Sequence, residues 1–188
     1  MAMITLPGTP RPEKVTKLDA ARRHLATAIA LWFTSGDTVS IYTLSHAAYE
    51  VIHNITRGKR KTELLFDAPI IRDEYRKDFN SHLRNPANFF KHARREKSEN
   101  QTIEFYPRIA ELFFLFSIFG LSQSGIELNR EERIFHSWLM IRQPQWFTEE
   151  GRKFISDRMP IESARELRRA SRKEFYEAFL QAFRHIKT

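Results

Sequence analysis

The segment Arg84-Asn85-Pro86-Ala87-Asn88-Phe89-Phe90-Lys91-His92 gathers an arginine, two asparagines, a lysine and a histidine in one short stretch. Pro86 suits the first position of a helix, where its missing N–H would have had no partner. Asn85 then falls at the N-cap, where its side-chain oxygen accepts from unpaired backbone donors. Such a helix start attracts a phosphate through those donors and through the helix dipole. Arg84 adds a rigid cationic fork beside it. Asn88 and His92 are four residues apart and share a helix face. An arginine, a helix N-terminus and an imidazole suited to proton transfer near neutral pH could together hold and cleave a phosphodiester. The alternative is an ordinary capped helix that carries a surface histidine.

Other chemistries find less support. Glu50 and His53 have the Glu-x-x-His spacing of di-iron bundles, but no second such pair exists. The His-Glu-x-x-His zinc pattern is absent, so no metal is expected. Six scattered glycines form neither a phosphate loop nor a dinucleotide fingerprint, and no cofactor is expected. No Gly-x-Ser-x-Gly elbow occurs. The absence of cysteine excludes thiol catalysis, disulfides and thiolate metal sites, and fits a cytoplasmic location.

Charge points to an acidic partner. Lys and Arg number 31 against 23 Asp and Glu, giving a net charge of +8, and nucleic acid is the first candidate. Three clusters could meet phosphates: Lys59-Arg60-Lys61; Lys91 with Arg94 and Arg95; and Arg165, Arg168, Arg169, Arg172 and Lys173. The last set recurs at helical spacing, and a merely solvated face is the alternative.

These residues need helices to position them. Residues 1–14 carry Pro7, Gly8, Pro10 and Pro12 and read as a flexible tail, leaving 15–188 as a single helical domain. Apolar periodicity predicts helices over 17–33 and 37–57, with Thr16 and Asp19 as a capping pair for the first and Ser35-Gly36 as its stop. On the second, Tyr42, His46, Tyr49 and His53 fall within about 60° of one another, away from the apolar face. A third helix is expected from Pro69, ending just before Pro86, so that the Arg84 segment sits at a joint and a new helix runs to about Arg95. The greasiest helix, 108–119, is expected at the centre and is ended by Gly120. Asn129 with Glu132 caps the next, and one long last helix spans 160–186. The sum is an all-α bundle of about six to eight helices. The longest apolar run, 112–121, is too short to span a bilayer, and no membrane partner is expected.

Two features resemble the HEPN family (higher eukaryotes and prokaryotes nucleotide-binding domains). One is the Ala-rich helix pair Ala20-Ala21-Arg22-Arg23-His24-Leu25-Ala26-Thr27-Ala28-Ile29 and Ser45-His46-Ala47-Ala48-Tyr49-Glu50-Val51-Ile52. The other is Arg84-Asn85 leading to His92, similar to the family's Arg-polar-spacer-His ribonuclease motif. The resemblance covers residues 17–142 and implies a HEPN-like core with a C-terminal helical extension. It implies metal-independent endoribonuclease chemistry, in which the ribose 2′-OH attacks the adjacent phosphate. His92 would be the acid–base, Arg84 would hold the phosphate, and Asn85 would position the pair. It also implies a homodimer, a role in a toxin or defence system, and an antitoxin or regulatory partner. A non-catalytic dimeric interaction module is the alternative, since many HEPN domains are of that kind.

Overall fold

The computed structural model describes residues 12–92, 100–157 and 161–185. Among these residues the chain forms eight α-helices and no strand, as the sequence predicts. They are α1 (Lys17–Phe33), α2 (Thr38–Thr56), α3 (Asp73–Lys91), α4 (Ile109–Gln123), α5 (Arg130–Arg142), α6 (Glu149–Ser156), α7 (Ile161–Arg169) and α8 (Arg172–His185). Single 3-10 turns occur at Leu65–Asp67 and Pro144–Trp146. Of the expected tail at residues 1–14, residues 1–11 lie outside the described residues, and Glu13 accepts from Arg23 at 2.6 Å.

Local chemistry sets the helix ends. The Asp19 N–H donates to the Thr16 hydroxyl at 3.1 Å and the Thr16 N–H to the Asp19 carboxylate at 3.3 Å, a complete capping box. Asn129 and Glu132 form another at the start of α5. At the end of α1 the Gly36 N–H reaches back to the Leu31 carbonyl at 2.7 Å, and Ser35 takes the left-handed conformation, φ 56°. Gly36 supplies room instead: a Cβ there would stand 2.9 Å from Leu31 Cδ2.

Four expectations about helix bounds need correction. The third helix starts at Asp73, not Pro69, and it runs unbroken through Pro86 to Lys91. The proline leaves the His82 carbonyl without its usual donor. The neighbouring Leu83 carbonyl accepts from the Tyr42 hydroxyl at 2.9 Å, and Pro86 and Ala87 are buried. Tertiary packing thus overrides the local preference for a break. Gly120 lies inside α4, where it lets that helix approach α2 and the loop that follows it: a Cβ would stand 3.3 Å from Thr56 Oγ1 and 2.9 Å from Leu64 Cδ1. The expected single last helix is two, α7 and α8. A capping box divides them, with the Ser171 N–H donating to Glu174 at 2.7 Å and the Glu174 N–H to Ser171 Oγ at 3.2 Å.

Two apolar clusters hold the bundle together. The larger joins α1, α2, α4, α5 and α8 through Trp32, Phe33, Ile52, Phe114, Phe135 and Phe175. The smaller joins α2, α3, α4 and the turn at 65–67 through Tyr42, Tyr49, Phe66, Leu83 and Phe113. The α4 helix packs against α2, α5 and that turn, yet leaves Leu112 exposed, so α2 and α4 share the centre.

Candidate functional site

The unbroken α3 changes the setting of the Arg84 segment. Asn85 is an exposed residue in mid-helix and not an N-cap. His92 is the C-cap. The segment therefore occupies the last turns of a helix, whose negative end suits Lys91 and a protonated imidazole but gives no help to a phosphate. Helical spacing places Lys91, Arg84, Asn88, His92 and Asn85 within about 120° of arc. All five side chains are exposed. Arg84 and His92 are separated by about 12 Å of helix axis.

Arg84 faces across to α2 and the preceding loop. Its guanidinium lies 4.3 Å from the centre of the Phe66 ring, and its Nε is 3.6 Å from Glu50 Oε1. The loop that carries Phe66 is strapped down. The Phe66 N–H donates to the Tyr49 hydroxyl at 3.1 Å, Asn80 Nδ2 to the Phe66 carbonyl at 3.0 Å, and Arg76 to the Ala68 and Ile71 carbonyls. An aromatic floor and a carboxylate thus fix the cation that sequence singled out.

Beneath this pair lies His46. It is wholly buried, against the Phe66 and Phe113 rings, and neither ring nitrogen has a hydrogen-bond partner. Its Nδ1 is 3.6 Å from Glu50 Oε2. Burial, reinforced by the nearby Lys91 and Arg84 charges, pushes its pKa down to about 4. The imidazole is neutral at pH 7, so the contact with Glu50 is polar rather than ionic. Burial also raises the Tyr42 hydroxyl to about 12 and the Tyr49 hydroxyl well above its usual range.

The aromatic–histidine stripe of α2 is accordingly an internal seam. Its last member, His53, bonds Asp67 through Nε2 at 2.8 Å, while Arg60 donates to the His53 carbonyl at 2.7 Å and to Glu63 at 2.8 Å. Glu50 meets Arg84 and His46, and His53 meets Asp67, so the Glu-x-x-His pair does not converge on one point. Among the described residues no group of three or more His, Asp or Glu side chains could hold a metal. With its side chain 2% exposed, Arg60 ties the loop to α2, and the Lys59-Arg60-Lys61 cluster loses its middle cation.

The basic C-terminal stripe is split. Arg165, Arg168 and Arg169 lie on α7, Arg172 and Lys173 at the start of α8. Arg168 Nε donates to the Ile141 carbonyl at 3.0 Å, using one of the unpaired acceptors at the end of α5, and Arg142 donates to the Ala170 carbonyl. The Arg172 guanidinium lies over the Trp32 ring. Only part of the stripe is left for solvent. Arg94 and Arg95 lie outside the described residues.

Sequence reading missed Glu50 as a member of the Arg84 site. The signal present was its i,i+4 spacing from His46, at the edge of the aromatic–histidine stripe of α2; its approach to Arg84 depends on the packing of α3 on α2. No protein-family model matches this chain, and no curated protein or solved structure matches it either.

Proposed function

We propose that the protein is an RNA-directed, HEPN-like endoribonuclease that needs no metal, working at the Arg84–Glu50 pair. The observation that carries this reading is the pair itself. A guanidinium held by Phe66 stands 3.6 Å from a half-exposed carboxylate, at the head of a strip made of Asn85, Asn88, Lys91 and His92. Arg84 holds a phosphate and takes up the charge that develops on it. Glu50 accepts the proton of the ribose 2′-OH as its oxygen attacks phosphorus. The new 2′-O–P bond forms, the P–5′-O bond breaks, and the departing oxygen takes a proton from water, leaving a 2′,3′-cyclic phosphate and a 5′-hydroxyl. Lys91 and His92 hold the strand further along α3. Within one chain His92 is thus a binding residue; its acid–base role at the Arg84 phosphate requires a second copy of the chain that brings its own His92 across.

End-labelled single-stranded RNA incubated in EDTA tests this. The expected products carry cyclic phosphate termini, and Glu50→Gln or Arg84→Gln removes them while the helical circular dichroism persists. Full activity in both variants sinks the reading. The second reading, a non-catalytic dimeric interaction module, is favoured by the 12 Å of unbroken helix between Arg84 and His92. RNA bound but never cut, with dimers in light scattering, would establish it. A toxin or defence role with an antitoxin partner follows from the resemblance alone.

A further inference from the structure

A cavity of about 290 Å³ lies away from α3, among the α1–α2 turn, the start of α4 and the start of α8. Trp32, Ile41 and Pro107 give it an apolar wall, and Arg108, Glu111 and Arg172 give it charge. Its size is near the lower end for small-molecule sites, and an apolar lining with a few convergent polar groups is their usual composition. The charges divide unequally. Arg108 and Glu111 approach to 3.8 Å and offset one another. The Arg172 guanidinium carbon stands over the Trp32 ring, 4.6 Å from its centre; the side chain is exposed and has no hydrogen-bond or ion-pair partner among the described residues. A contact with the ring face spends none of the guanidinium's N–H donors on described residues, and that planar fork matches a carboxylate.

We propose that this cavity binds a small monocarboxylate with an apolar body. The carboxylate takes the edge of Arg172, and the body lies against Ile41 and Pro107. A single unspent cation selects a monoanion over a dianion, and the apolar wall selects an organic acid over an inorganic ion. The site is independent of the RNA reading and needs no contact with α3.

The test uses the full chain and three probes: phenylacetate, neutral benzyl alcohol and inorganic phosphate. Binding is followed by calorimetry and by the indole N–H resonance of Trp32. Phenylacetate is expected to bind saturably with a Kd of about 0.1–1 mM, as suits so small a ligand, and to shift the Trp32 resonance. Benzyl alcohol and phosphate should each bind at least about tenfold more weakly, and Arg172→Gln should weaken phenylacetate by about tenfold or more. If that variant does not fold, the order of the three probes on the unaltered protein still decides. Benzyl alcohol as tight as phenylacetate, phosphate as tight as phenylacetate, no saturation at tens of millimolar phenylacetate, or an unmoved Trp32 resonance would each overturn the assignment.

Discussion

Glu132 and His46 are both wholly buried titratable side chains, one beside each apolar cluster, and they are treated in opposite ways. Glu132 accepts from Arg22 Nε at 3.1 Å and Arg22 NH2 at 2.9 Å, and also from the Asn129 N–H at 2.7 Å. Every part of that carboxylate has a donor, so it ties α1 to α5 and caps α5 at once. His46 has no hydrogen bond at all. A buried polar group without partners costs free energy that a core built only for stability would avoid. The Glu132 carboxylate is therefore fully satisfied, whereas His46 is an unmet polar group directly beneath Arg84 and Glu50.

The largest expected effect breaks the satisfied member. Arg22→Ala leaves the buried Glu132 carboxylate with the neutral Asn129 donors alone, and removing the charged partner of a buried pair costs about 3–5 kcal/mol. Urea denaturation measures it, and a loss below about 1 kcal/mol would place Glu132 in effective contact with water.

The unsatisfied member gives a pH signature of similar size. His46 is held near pKa 4 when folded, against its ordinary 6.5. A depressed folded value means that the unfolded chain takes up the proton first as pH falls. Stability is therefore full above about pH 6.5 and declines down to about pH 4, by about 3 kcal/mol for this shift. His136, also depressed by burial, adds to the decline with the same sign. His46→Leu removes both orphan nitrogens, so it should flatten most of this acid slope and leave stability at pH 7 unchanged or raised. An unaltered slope would mean that His46 is solvated.

Smaller effects separate the basic residues. Arg168→Gln loses the bond to the Ile141 carbonyl and should cost about 1 kcal/mol. Arg165→Gln, on the same helix and without such a bond among the described residues, should stay within about 0.5 kcal/mol. Equal losses would show that the split stripe acts as one surface. Lys91→Gln should leave stability alone and flatten the salt dependence of RNA binding by about 0.7 log units per log unit of salt.

Much of the fold is legible because its signals are local. Thr16 with Asp19 and Asn129 with Glu132 announce their helices within four residues. Ser171 with Glu174 is an equally local signal, but the apolar periodicity of Leu167, Phe175 and Phe179 reads straight through it. Pro86 misleads because its burial in the core, which no local spacing announces, holds a proline inside a continuous helix. The candidate site is legible by residue type at Arg84 and as an aromatic–histidine stripe on α2. What joins them is the packing of the 57–72 loop and α3 onto that face, which places Phe66 under Arg84 and Glu50 beside it. No spacing in the sequence encodes that contact.

The most direct test of the Arg84–Glu50 site is a single-turnover cleavage assay on single-stranded RNA in EDTA, comparing Glu50→Gln, Arg84→Gln and His92→Ala at equal bound RNA. The proposed chemistry predicts loss of about a hundredfold or more in rate for the first two. For His92→Ala it predicts weaker binding with the bound-state rate retained in a monomer. Cleavage that survives Glu50→Gln unchanged and vanishes with His92→Ala would contradict it, and would return the acid–base role to the imidazole that the sequence first suggested.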